Sequence, residues 1–271
     1  MKTILYSAAF LLAFYFISNS YGFLAALGFL AVVIGILCYV RRATLMTRSA
    51  MQHYFIKGNV KKAKKLFEKA YKTGEMNPES KIAYSSFCLR ENLFDKGRRL
   101  LSEVINSKAA SEENKINAKH NLAVLTWKEG NLDEAIEILE DVHKKMFATN
   151  TYGTLGVLYL ERAKSDKNYE EMLPFMLEAY DYNDSDKTIA DNLGELYLLM
   201  EEYEKAREVY SVLLKTTQIT PMPYYNYGKV LKHLGDTEAA RENFEKALDC
   251  RFTSVITITR EMVEEELSKL G

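Results

Sequence analysis

The stretch Gly235–Ala247, GDTEAARENFEKA, has five relatives upstream in the chain. They read GNVKKAKKLFEKA from Gly58, NLFDKGRRLLSEV from Asn92, GNLDEAIEILEDV from Gly130, KNYEEMLPFMLEA from Lys167 and EEYEKAREVYSVL from Glu201. Their starts are 34, 38, 37, 34 and 34 residues apart. A period near 34 is the length of two short helices with their turns, a unit that cannot bury its apolar face alone and must stack on its neighbours. The sixth residue of most copies is small (Ala63, Gly97, Ala135, Ala206, Ala240), and the tenth and thirteenth are apolar, as in Phe67 and Ala70 or Phe244 and Ala247. That spacing puts them on one helical stripe. A partner helix shows the matching pattern in NLGELYL from Asn192, NYGKVLK from Asn226, TLGVLYL from Thr154 and, more loosely, NLAVLTW from Asn121, where Gly or Ala permits close helix approach.

These motifs resemble the tetratricopeptide repeat family over roughly residues 44–254. The last two units carry the likeness best: Leu193, Gly194, Tyr197, Ala206, Tyr210 and Leu213 recur 34 residues on as Tyr227, Gly228, Leu231, Ala240, Phe244 and Ala247. The fold class that follows is all-α: an N-terminal transmembrane helical hairpin, a solenoid of about six helix-turn-helix units, and a C-terminal capping helix. The expected domains are a membrane anchor over 1–43, with apolar helices near 3–17 and 22–40, and a repeat array over 44–254. Its units fall near 44–77, 78–111, 116–148, 149–186, 187–220 and 221–254, and the cap covers 255–271. The fourth unit departs from the pattern, with Met172 in the small-residue place and Pro174 inside the second helix, where it predicts a kink.

The run Phe23–Val40 carries no charge and, with its flanks, approaches the ~20 residues that a bilayer requires. The earlier run, Thr3–Ile17, is shorter; it reads either as the outgoing helix of a hairpin or as a signal peptide cleaved near Ser18–Tyr21. The net charge of −1 hides a gradient: residues 41–108 hold 16 Lys or Arg against 6 Asp or Glu, while residues 109–271 hold 19 against 31. Basic residues beside an apolar helix stay on the cytoplasmic side. The expectation is thus a multi-pass protein of the cell membrane with a cytoplasmic array. Arg41, Arg42, Lys61, Lys62, Lys64 and Lys65 are its membrane-surface basic residues, attracted to anionic lipid. That position also accounts for the basic third without nucleic acid, which is not an expected partner. The three cysteines, Cys38, Cys88 and Cys250, have no pairing or metal-ligand spacing and read as thiols in packed helices.

No phosphate loop, catalytic cluster or metal-ligand set emerges; His53, His120, His143 and His233 lie in different units. The reading is therefore not an enzyme, with no cofactor and no metal. The family resemblance implies a concave groove, lined by the first helices, that holds partner peptides. On this chain it implicates Asn121, Asp191, Asn192, Glu195, Leu198, Tyr225, Asn226, Lys229 and Lys232. A side-chain amide there can bond both groups of a peptide backbone, and the acidic second half predicts a basic partner segment. The function so read is a membrane-tethered interaction scaffold or adaptor. The alternatives are an extracytoplasmic, membrane-anchored assembly chaperone and a regulatory subunit of a membrane complex.

Overall fold

A computed structural model describes residues 2–218 and 220–271, with side chains from residue 12 onward. Among these residues there are fifteen α-helices, one 3-10 turn and no strand. The chain divides into two compact units, residues 1–83 and 84–271.

The first unit holds α1 (Lys2–Tyr21), α2 (Phe23–Val40), α3 (Arg42–Phe55) and α4 (Val60–Lys72). Gly22, at φ 87°, separates α1 from α2. The run expected as a helix near 3–17 is helical over all of α1, and half of its side chains lie outside the described residues. Among the described residues one helix, α2, is long and apolar enough to cross a membrane. Leu24, Val32, Ile34, Ile36, Leu37 and Val40 are exposed on it, whereas Ala26 is buried. Cys38 is exposed on the same helix, so the expectation of a packed thiol fails there; Cys88 is buried and Cys250 is intermediate. Helices α3 and α4 form an antiparallel pair that buries Ala43, Ala50 and Tyr54 of one against Ala63, Phe67 and Ala70 of the other. Asn59 caps α4 through the backbone N–H of Lys62 (2.9 Å).

Helix α5 (Pro78–Arg90) runs across the division, and the second unit continues with α6 (Phe94–Ile105), α7 (Glu112–Lys128), α8 (Leu132–Lys145) and α9 (Thr149–Asp166). After a 3-10 turn, Glu170–Met172, come α10 (Leu173–Tyr182), α11 (Lys187–Leu199), α12 (Tyr203–Leu213), α13 (Met222–His233), α14 (Thr237–Leu248) and α15 (Arg260–Ser268). Helices α7, α9, α11 and α13 lie side by side as one layer, with α8, α12 and α14 packed on its other face.

Each repeated stretch begins at a left-handed residue: Gly58, Asn92, Gly130, Lys167, Glu201 and Gly235 have φ of 60°, 57°, 96°, 55°, 60° and 85°. A single αL residue reverses the chain between the two helices of a unit, and glycine adopts it without the steric cost that a β-carbon brings. Two glycines inside helices answer a different need. A β-carbon at Gly194 would lie 2.7 Å from the Tyr210 ring, and one at Gly228 would lie 2.7 Å from the Phe244 ring. The tenth residue of the repeated stretch, on the second helix, thus reaches the backbone of the first.

Two expectations are corrected here. Pro174 makes no kink, because α10 starts only at Leu173 and the proline sits in its first turn, where its missing N–H has no helical partner to lose. Between Gly156 and Met172 this unit has four residues more than the sixth unit has between Gly228 and Ala240, and they lengthen α9 to 18 residues. The capping helix expected from residue 255 begins at Arg260. The preceding TSVITIT run is β-branched and poorly suited to helix, and Thr259 caps α15 through Met262 N (3.3 Å).

Candidate functional site

The second unit contains a cleft of about 510 Å³. Its walls come from the end of α5 (Leu89, Arg90), from α7 (His120, Asn121, Val124, Trp127), from α9 (Thr154, Val157, Leu160, Glu161) and from α11 (Lys187, Asp191, Asn192, Glu195). Gln218, Met222 and Pro223 close one side, and Val255, Ile256 and Thr257 close another. Apolar patches alternate with hydrogen-bonding groups, the composition of a surface that can hold a peptide by its backbone and seat its side chains.

Of the nine residues expected to line a groove, Asn121, Asp191, Asn192 and Glu195 line this cleft, and Leu198, Tyr225, Asn226, Lys229 and Lys232 do not. The recurring asparagines have a different task from the expected one. Asn121 Nδ2 donates to Ser86 Oγ (3.0 Å), Asn192 Nδ2 donates to the Gly153 carbonyl (2.8 Å), and Asn226 Nδ2 reaches Asp191 Oδ1 (3.4 Å). Each amide therefore ties its helix to the first helix of the preceding unit, and Asn192 and Asn226 are buried doing so. Amides committed to these bonds are not free for a peptide backbone.

The carboxylates are similarly engaged. Asp191 accepts from Tyr210 Oη (3.0 Å) as well as from Asn226. Burial, followed by the nearby Glu195 charge, pushes its carboxyl up to about 7, against the hydrogen bonds and the Lys164 charge that favour the anion. Burial also holds the Tyr210 hydroxyl well above the ordinary tyrosine range, with Asp191 adding to the effect. Glu195 pairs with Lys164 (2.7 Å), which also bonds Glu161 (2.7 Å). Burial opposes the Lys164 ammonium, yet Glu195 and Glu161 hold it above the usual lysine range. Lys232 is bonded to Glu266 of the cap (2.7 Å), and burial lowers Lys229, which lies over the Tyr225 ring. The acidic groove expected to select a basic partner is thus largely neutralised from within.

The residues that sequence reasoning missed are Trp127, His120 and the loop 251–257. His120 Nε2 lies 3.0 Å from Thr154 Oγ1 and 3.3 Å from the Asn150 carbonyl, and burial lowers its basicity. Trp127 is the chain's single tryptophan, on the loosest of the four partner motifs. The loop is joined to the start of this unit by Ser254 Oγ, which donates to the Leu89 carbonyl (2.6 Å), and by Arg251, 3.3 Å from Glu91. No repeat register announces such a contact.

In the first unit, Arg41 is exposed, and Arg42 is held by the Tyr39 carbonyl (3.1 Å), the Tyr39 ring face (3.9 Å) and Glu75 (2.7 Å). Lys61, Lys62, Lys64, Lys65, Lys69 and Lys72 are all exposed along α4. The hydrogen bonds Arg41 N to Leu37 O and Leu45 N to Arg41 O carry the chain from α2 into α3, and the Arg42–Glu75 pair returns the far end of α4 to the start of α3. Lys69 and Lys72, rather than Lys61 and Lys62, are therefore the α4 lysines beside the end of α2.

A family model for the tetratricopeptide repeat matches residues 223–251. A tetratricopeptide repeat protein from Parabacteroides merdae ATCC 43184 has a similar structure, with a TM-score of 0.64 at 14% identity over 97% of this chain and 98% of that one. Pseudomonas aeruginosa pilF aligns with a TM-score of 0.54 at 12% identity, covering 83% and 97%. No curated protein matches the chain. At these identities the likeness concerns fold: the described residues share the all-helical, tetratricopeptide-like architecture of these structures, and the α13–α14 pair matches one repeat of that family.

Proposed function

We propose that this protein is an adaptor tethered to the cell membrane by α2, whose second unit holds segments of other proteins in the cleft between α7, α9 and α11. The observation that carries this reading is the cleft itself, which offers apolar seats (Val124, Trp127, Val157, Leu160) beside polar groups within one solenoid layer. Tethering is supported by the 18 uncharged residues of α2 and by Tyr21 and Tyr39, exposed at its two ends as interfacial aromatics are. Arg41 and Arg42 at the C-terminal end argue for a cytoplasmic array. Division into an anchor of residues 1–43, an array and a cap belongs to the same proposal, as does the anchor's second span, α1. The partner is a protein segment. A strongly basic one is disfavoured because Glu195 and Glu161 already share Lys164.

The test is photo-crosslinking in membranes, with a reactive residue placed at Val124 in the cleft and, as a control, at Val212, exposed on α12. Adducts with cytoplasmic proteins are expected from Val124 and not from Val212. Adducts from Val212 alone, or from neither position, would remove the groove reading; adducts with proteins of the opposite compartment would reverse the topology.

A further inference from the structure

One wall of the cleft is supplied by the chain's own last loop. After α14 the backbone turns at Ser254–Val255, where Ile256 N donates to the Thr253 carbonyl (3.0 Å), and Val255, Ile256 and Thr257 then face the cleft. On the near side Phe252 and Ile256 pack against the cluster of Phe244, Ala247 and Val263, which fixes the loop's base. On the far side the Ser254 hydroxyl and Arg251 reach Leu89 and Glu91, 165 and 160 residues earlier in the chain. The loop therefore occupies space that an open solenoid groove would leave to a partner.

Part of its far-side attachment is open to water. The Arg251–Glu91 pair is partly exposed, at 44% and 26%, and such pairs contribute little in water. Thr253 Oγ1 is buried without a hydrogen-bond partner among the described residues, which disfavours the docked arrangement. The loop thus combines a firm base, a hydroxyl bond and a half-exposed ion pair across the cleft, and a buried hydroxyl of its own that the docked arrangement leaves unsatisfied.

We propose that loop 251–257 is an internal ligand of the cleft, and that the partner segment binding there has the same chemistry: a loop of hydroxyl-bearing and β-branched residues that replaces it. The partner half of this statement rests on the groove reading; the internal docking does not.

The experiment uses the full chain in detergent and, as probe, a fluorescent synthetic peptide of residues 251–259, RFTSVITIT. In the test variant Ser254-Val255-Ile256 is replaced by Gly-Ser-Gly. A tethered loop acts at an effective concentration of about millimolar, so the wild type should bind the peptide at least about tenfold more weakly than the variant. Val124→Asp added to the variant should abolish binding. Equal binding to wild type and variant, or binding to neither, overturns the proposal. If the triple replacement lowers helicity, the pair Arg251→Ala and Ser254→Ala takes its place. Amide exchange should then quicken in 251–257 and stay unchanged in α11, and unaltered exchange in the loop counts against the proposal. Peptide binding that depends on Val124, found together with no cross-linked protein at Val124, would keep the internal ligand and remove the groove reading. The opposite pair of results would remove only the internal ligand.

Discussion

Helices α4 and α14 are the same repeat helix built twice, once in each unit of the molecule. Both follow a left-handed glycine, Gly58 or Gly235, and both are capped by an Asx side chain, Asn59 to Lys62 N (2.9 Å) and Asp236 to Ala239 N (3.1 Å). Both bury an Ala-Phe-Ala stripe at 0% exposure: Ala63, Phe67 and Ala70 in one, Ala240, Phe244 and Ala247 in the other. Their outward faces differ completely. Helix α14 mixes signs and closes a Glu242–Lys246 pair at 2.6 Å, whereas α4 shows six exposed lysines and a single acid, Glu68. The buried stripe is what stacking demands, and the outward face is left free to answer to something other than folding.

If that division is right, the largest effects should be equal in the two helices. Phe67→Ala and Phe244→Ala each remove a fully buried ring from an interface with little room to collapse, and each should cost about 3–5 kcal/mol. Native-state hydrogen exchange of the full chain reads them separately, through the amides of α3 and α4 in one variant and of α13 and α14 in the other. Two losses that differ by more than about 2 kcal/mol would show that the shared stripe does not carry the same share of stability in the two places.

The stripe is also what made the fold legible. Every copy that the spacing picked out begins at the left-handed turn residue, including Asn92, Lys167 and Glu201, where no glycine marks it. The groove was only half legible, for a physical reason. The periodicity that puts Asn121, Asn192 and Asn226 on equivalent points cannot say whether an amide faces the neighbouring helix or the open groove, because in a solenoid both lie on the concave side of the first helix. Contacts to Ser86, Gly153 and Asp191 decide it, and those depend on the stagger between units. Loop 251–257 was out of reach because its partners lie about 160 residues away, whereas repeat reasoning relates each unit only to the next. The helix expected over that loop overlooked the β-branched run that prevents it.

A smaller effect separates the buried polar layer of the second unit from its apolar stripes. The Asp191 carboxyl binds its proton more tightly in the folded chain, at about 7, than in the unfolded chain, at about 3.9. Between those values the native state holds more protons, so stability contributed by this group is fully present at low pH. It falls as pH rises from about 4 to about 7 and is flat above. Asp191→Asn keeps an oxygen for the Tyr210 hydroxyl and removes the titration. It should raise stability by about 1–3 kcal/mol at pH 8 and leave it nearly unchanged at pH 4.5. Thermal melts of wild type and variant across that range make the measurement. A variant that is less stable than wild type at pH 8 would mean that Asp191 is held as a stabilising anion.

The smallest effect tests the outward face of α4, and it depends on a length. Helix α4 has 13 residues, about 20 Å at 1.5 Å per residue, and its Lys72 end is returned to the start of α3 by the Arg42–Glu75 pair. With α2 across a bilayer, Lys69 and Lys72 lie near the headgroups, while Lys61 and Lys62 stand about 15 Å farther away. That is beyond a screening length of about 8–10 Å at ordinary salt. An anionic leaflet at about −30 mV lowers the fraction of uncharged amine beside it by about threefold. Amine labelling of the full chain in nanodiscs should therefore slow about threefold at Lys69 and Lys72 when zwitterionic lipid is replaced by anionic lipid. Lys61 and Lys62 should be little affected, and the difference should fade at high salt. Equal slowing along the whole helix would mean that α4 lies flat on the bilayer and that all six lysines are lipid contacts. No slowing at any of them would detach the basic face from the membrane and leave it to an acidic protein partner.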